Sequence, residues 1–176
     1  MVDYLKSLIA DFIIKKKLNE TQKTQMSFSN TFKSSFRFFV VMPSDEKDFK
    51  NAFIVLDFLE SYNKNVTVFT NDFRVALLPI KFRNKSLSYS LNQINKLKLP
   101  SNDLKNKLKS IECDFVIDLN REKNLFASYV TNLIKSKVRL GIEKRDSYLY
   151  YNLIFSDSNS ESKIFFLNFL NFLRMF

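Results

Sequence analysis

Two short stretches of β-favouring residues constrain this chain more than any other feature. Phe36–Met42, broken only by Arg37 and stopped by Pro43, and Asp114–Leu119, apolar apart from its two aspartates, read as strands buried on both faces. Each is followed by a loop and then by helical periodicity. After the first, Ser44 with Asp45 and Glu46 marks a helix N-terminus, and Phe49, Ala52, Phe53, Leu56 and Leu59 form a stripe running through to Tyr62. Val66–Thr70 predicts a second strand, Asn71–Leu78 a short helical or irregular piece ended by Pro79, and Ser86–Ser90 a weaker third strand. Pro100 and Ser101 start a helix running to about Ile111, and Leu125–Ile134 forms another. Val138–Ile142 and Tyr148–Phe155 are the last strands, with Ser160–Phe176 as the closing helix.

Strands that alternate with helices are βαβ units with right-handed crossovers. The expected fold is therefore α/β: a Rossmann-like three-layer α/β/α domain around a mostly parallel sheet, with Phe36–Met42 and Asp114–Leu119 among its inner strands. Ligands of such sheets bind beyond the carboxyl ends of the strands. That rule selects Pro43–Asp48, Asn71–Phe73, Asn120–Asn124 and Glu143–Asp146 as crevice loops. Residues 36–176 are expected to form this single domain. Residues 1–35 precede it as an amphipathic helix over 2–18, with Leu5, Leu8, Ile9, Phe12 and Ile13 on one face, and a polar connector over 19–35.

Composition removes several chemistries. With no His among 176 residues, there is no Ser-His-Asp or Cys-His nucleophile and no His-ligated metal. Cys113 is the only cysteine, so neither an intrachain disulfide nor a thiolate cluster can form, which suits a reducing compartment. A single glycine excludes a Walker loop and a GxGxxG fingerprint. No metal site and no cofactor are expected. The formal charge of +10 is concentrated in 1–43, where seven Lys or Arg stand against three acids, and in 91–145, where twelve stand against six. That surface is either simply solvated or meets phosphates, but no nucleic-acid recognition motif accompanies it, so a nucleic-acid partner is not expected. No run reaches the ~18–20 apolar residues of a membrane span, and Asp3 and Asp11 interrupt any secretory signal. A cytoplasmic protein is expected, with Lys15, Lys16 and Lys17 allowing peripheral contact with an inner-membrane surface.

Each candidate functional residue carries two readings. Asp45 and Asp48, beyond the first strand, either stabilise a helix N-terminus or supply a general base for an acceptor hydroxyl. Asp118 lies inside an apolar strand, so it must find amides, a basic partner or the crevice. Asn120 and Arg121 follow it in a crevice loop. Gly141 marks either a positive φ or a close approach by another segment. The closing helix has Phe165, Phe166, Phe169, Leu170, Phe172, Leu173 and Phe176 against a narrow stripe of Asn168, Asn171 and Arg174. An apolar arc this wide reads either as burial on two sides, by this domain and by a second subunit or missing domain, or as ordinary core packing in a Phe-heavy chain.

The block Cys113–Ile142, CDFVIDLNREKNLFASYVTNLIKSKVRLGI, resembles the N-terminal domain of family 9 glycosyltransferases, the ADP-heptose:lipopolysaccharide heptosyltransferases. The matching positions are Asp114, Asp118, Leu119, Asn120, Ser128, Arg139 and Gly141, and FFVVMPSDEKDFKNAFIVLDFL looks like the family's opening strand and helix. The resemblance covers about residues 36–155. It implies a GT-B N-terminal-like fold, with Asp45 or Asp48 standing where the family's loop carries a Gly-Asp pair with the base. It also implies a substrate-binding set of Ser44, Asp118, Asn120, Arg121, Ser128 and Gly141. The family's C-terminal, donor-binding half has no counterpart in this sequence. Two functions follow as expectations: a non-catalytic heptosyltransferase-like module for interaction or assembly, or the acceptor-side component of a split glycosyltransferase acting on a lipopolysaccharide-type acceptor. In either case a second copy or a separate donor-binding chain is expected on Phe165, Phe169, Phe172 and Phe176.

Overall fold

A computed structural model describes residues 28–176, with side chains from Thr31 onward. The helix expected over residues 2–18 lies outside the described residues. The chain enters through α1 (Phe28–Ser34), β1 (Arg37–Val41), α2 (Glu46–Asn51), α3 (Phe53–Ser61) and β2 (Asn65–Asn71). A 3-10 turn (Asp72–Leu77), α4 (Ile80–Arg83), β3 (Ser86–Tyr89), a second 3-10 turn (Leu91–Gln93), α5 (Asn102–Lys109) and β4 (Phe115–Asp118) follow. Then come α6 (Leu125–Leu133), β5 (Val138–Ile142), a third 3-10 turn (Ser147–Leu149), β6 (Leu153–Phe155) and α7 (Ser162–Arg174). The six strands form one sheet in the order β3-β2-β1-β4-β5-β6, and every pairing is parallel.

β1 and β4 are the two central strands, in register from Phe38 beside Phe115 to Val41 beside Asp118. Their apolar runs are continuous because helices cover both faces. Phe38 and Val40 join the core beneath α2, α3 and α7, whereas Phe39 and Val41 join the core beneath α5 and α6. Burying each such side chain is worth ~1.5–3 kcal/mol. Strand order reverses between β1 and β4, so the crevice sits over their carboxyl ends.

Several local expectations are corrected. The helix after β1 is two helices joined at Ala52, and its N-cap is Asp45, not Ser44. The expected connector over 19–35 ends in α1, which docks Phe32 edge-on to Phe38 and Phe115. Lys64 Nζ fastens that helix by donating to the carbonyls of Phe32, Lys33 and Ser35. The strand expected over Tyr148–Phe155 shrinks to Leu153–Phe155, because Tyr150 and Tyr151 turn inward to a small cluster with Leu99 and Tyr129. No described helix is long and apolar enough to cross a membrane.

The closing helix also differs from the expected partner surface. Phe165 and Phe169 lie inside the domain's own core, covered by α2, α3 and Phe155, while Phe172 and Phe176 are half-buried. The wide arc is thus largely ordinary core packing. The apolar residues that α7 and its C-cap present to the surface are Ile164, Leu167 and Met175.

Candidate functional site

The crevice is built around Asn120, the second residue beyond β4. Its Oδ1 accepts from Ser44 N–H at 2.9 Å and from Asn124 Nδ2 at 3.4 Å. Its Nδ2 donates to Asp118 Oδ1 at 2.7 Å and to the Met42 carbonyl at 3.3 Å. Its own carbonyl accepts from Lys144 Nζ at 2.7 Å. Asn124 also donates to Ser44 Oγ, while its Oδ1 caps α6 by accepting from Ala127 N–H at 3.1 Å. These bonds tie the loop after β1 to the loop after β4 across the switch point. The tie divides the crevice into two compartments.

Beneath this clamp lies a polar interior. Asp118 is wholly buried, and its carboxylate accepts from Asn120 N–H at 3.0 Å, from Lys144 Nζ at 3.3 Å and from the Tyr151 hydroxyl. Ser128 Oγ shares the Tyr151 hydroxyl at 2.9 Å. Burial, reinforced by the Asp118 charge, holds the Tyr151 phenol protonated well above its ordinary range. Gly141 makes this possible: a Cβ there would stand 2.4 Å from two Tyr151 ring atoms. Its φ is not positive, so close approach is the reason for glycine. Asp118, Asn120, Ser128 and Gly141, matched separately in the sequence, therefore converge on one network centred on Tyr151. In it Asp118 and Ser128 are sealed from solvent.

The compartment beside β5 and β6, about 400 Å³, contains the candidate bases. Asp45 accepts from Asp48 N–H at 2.9 Å and so caps α2. Asp48 is buried in an ion pair with Arg121 at 3.2 Å. Arg121 is a strut: it donates to the carbonyls of Asn159 and Ser160 and lies 4.5 Å over the Phe165 ring. Glu122, Glu143 and Asp157 outnumber Lys47 on the remaining wall, which leaves it net acidic. Among the described residues, no group of three or more acids or cysteines is placed to hold a metal ion.

The compartment beside β2 and β3 is a cavity of about 140 Å³ with no carboxylate in its lining. Phe69, Tyr89 and Phe126 make a three-ring wall, with Phe69 stacked on Tyr89 at 4.9 Å and Tyr89 against Phe126 at 4.7 Å. Arg74 borders it, donating to the Pro43 carbonyl and lying over Phe73. Asn71 lines it and is 8% exposed, yet its Oδ1 has no hydrogen-bond partner. An unsatisfied buried acceptor costs ~1–3 kcal/mol. Burial raises the Tyr89 phenol, and a hydrogen bond from Asn71 acts against it.

Asn71 and Lys144 lay within crevice loops legible in the sequence, but nothing in the sequence marked Arg74, Tyr89 or Tyr151. Comparison with protein-family models, with curated proteins and with solved structures finds no match to this chain.

Proposed function

We propose that the chain is a glycosyltransferase-like, specifically heptosyltransferase-like, module that binds or assembles rather than transfers a sugar. One observation carries this reading: the three carboxylates that the sequence put forward at the crevice are engaged in holding the fold. Asp45 caps a helix, Asp48 is paired with Arg121, and Asp118 is sealed beneath the Asn120 clamp. A general base has to lie within hydrogen-bond reach of a substrate hydroxyl and accept its proton. The small aromatic cavity has no carboxylate in its own lining, and the larger space that adjoins it has Glu122 alone. Association, where it occurs, uses the exposed Ile164, Leu167 and Met175 with the half-buried Phe172 and Phe176.

A second reading is the acceptor-side half of a split glycosyltransferase. It is favoured by the acidic compartment, where Asp45 borders open space despite its capping bond. An assay for sugar transfer from ADP- and UDP-sugars to phosphorylated-sugar acceptors separates the two. The expected result is no product above the protein-free control, with Asp48→Asn lowering thermal stability. Turnover that disappears in Asp45→Asn at unchanged stability would favour the second reading.

A further inference from the structure

Among the described residues, Asn71 Oδ1 is the one buried side-chain polar atom without a hydrogen-bond partner. An acceptor left orphaned inside a cavity calls for a ligand that brings an N–H or O–H to it. The small cavity does not end there. It shares Ser44, Tyr89, Asn124 and Phe126 with a larger one of about 400 Å³, so the two form one cleft along the aromatic wall.

The far part of that cleft is suited to an anion. Leu125 and Phe126, in the first turn of α6, line it together with Lys98 and Lys123, the latter also 3.5 Å from Asp146. The first turn of a helix leaves N–H groups without helical acceptors and carries positive potential. Asn124 takes that of Ala127. Over the whole cleft the charged lining residues are Arg74, Lys98 and Lys123 against Glu122, which leaves it net positive.

The near part favours a planar ring. Three ring faces stand there beside the polar side chains of Thr70, Asn71 and Arg74. A heteroaromatic ring uses the wall through its face and the orphan acceptor through its edge. We propose that this cleft binds a nucleoside monophosphate. Its base rests on Tyr89 and Phe126 with an N–H donating to Asn71 Oδ1, and its phosphate sits at the start of α6 beside Lys98 and Lys123. The proposal is independent of whether the domain transfers sugar.

The test is calorimetric titration of the full chain with AMP, ribose 5-phosphate and inorganic phosphate. AMP should bind at least about tenfold tighter than ribose 5-phosphate, since only AMP supplies ring and amino donor. Asn71→Leu should weaken AMP by about tenfold or more while raising the melting temperature, because the orphan acceptor is gone. Should that variant not fold, Lys98→Asn is the second probe. Lys98 has φ 58°, which asparagine accepts, so the charge goes without backbone strain, and AMP should weaken severalfold. Ribose 5-phosphate binding as tightly as AMP would make the ligand a sugar phosphate and overturn the proposal. So would Asn71→Leu or Lys98→Asn binding AMP like the parent, or no AMP binding at millimolar concentration.

Discussion

Gly141→Ala is the sharpest perturbation of the interior network, because one added methyl group meets a side chain that has no room to yield. The new Cβ would lie 2.4 Å from Tyr151 Cγ and Cδ2 and 2.5 Å from Cε2. Heavy atoms cannot approach that closely, so the ring must move. Tyr151 is 4% exposed, and its hydroxyl is held by Asp118 and Ser128 at the far end. Moving the ring therefore costs twice. Overpacking a filled core costs ~1–3 kcal/mol, and losing a hydrogen bond to a buried charge costs ~1.5–3 kcal/mol. Replacing glycine inside a strand returns ~0.5–1 kcal/mol. The net destabilisation is about 2–5 kcal/mol, a lowering of the melting temperature by roughly 5–20 °C for a chain of this length. Urea denaturation of the parent, Gly141→Ala, Tyr151→Ala and the double variant measures it. With the ring gone the methyl group has space, so the double variant should be no less stable than Tyr151→Ala alone. A neutral or stabilising Gly141→Ala, or a double variant whose losses simply add, would refute the reasoning.

Asp114 lies at the opposite end of the sheet from the crevice, where its Oδ2 accepts from the N–H groups of Phe36 and Arg37 at 2.9 and 2.8 Å. The Arg37 amide chiefly holds this carboxyl below its ordinary value, against the opposing effect of burial. A lowered folded-state pKa contributes stability above the unfolded value of ~3.9, lost as pH falls through the folded value. Asp114→Asn should thus be less stable than the parent at pH 7, and the gap should narrow below about pH 4. A gap that stays constant on acidification would contradict this. Burial pushes the Cys113 thiol up to about 11, leaving little thiolate at pH 8. Iodoacetamide at that pH should label the native chain at least about a hundredfold more slowly than the urea-unfolded one, and equal rates would mean that the site opens readily.

The central strands were legible because helices on both faces demand an unbroken apolar run, which Phe38–Met42 supplies and a half-exposed strand would not. The crevice loops were legible from the same topology. What the sequence could not carry was pairing across distance. Gly141 announced a close approach, but Tyr151 reads as one more strand residue until the chain is folded. Asp118 announced a need for donors, yet Lys144 lies 26 positions away in a loop of ordinary charge. Phe32 stands four residues from Phe28 and from Phe36 in a polar stretch, and that spacing does not name Phe38 and Phe115 as the rings it docks on. The breadth of the closing helix left two readings open, cover by a second chain or ordinary core packing. That most of its cover comes from α2, α3 and Phe155 depends on how the helices pack, which hydrophobic pattern alone does not encode.

The division of the crevice by Asn120 is the central claim, and amide chemical-shift mapping tests it most directly. Labelled protein titrated with AMP should show shifts at the Asn71 side-chain amide and at the backbone of Lys98, Leu125, Phe126 and Ala127, with Asp45, Asp48 and Asn159 unmoved. Shifts centred on Asp45, Asp48, Asn159 and Ser160 would place the ligand in the acidic compartment and contradict the account.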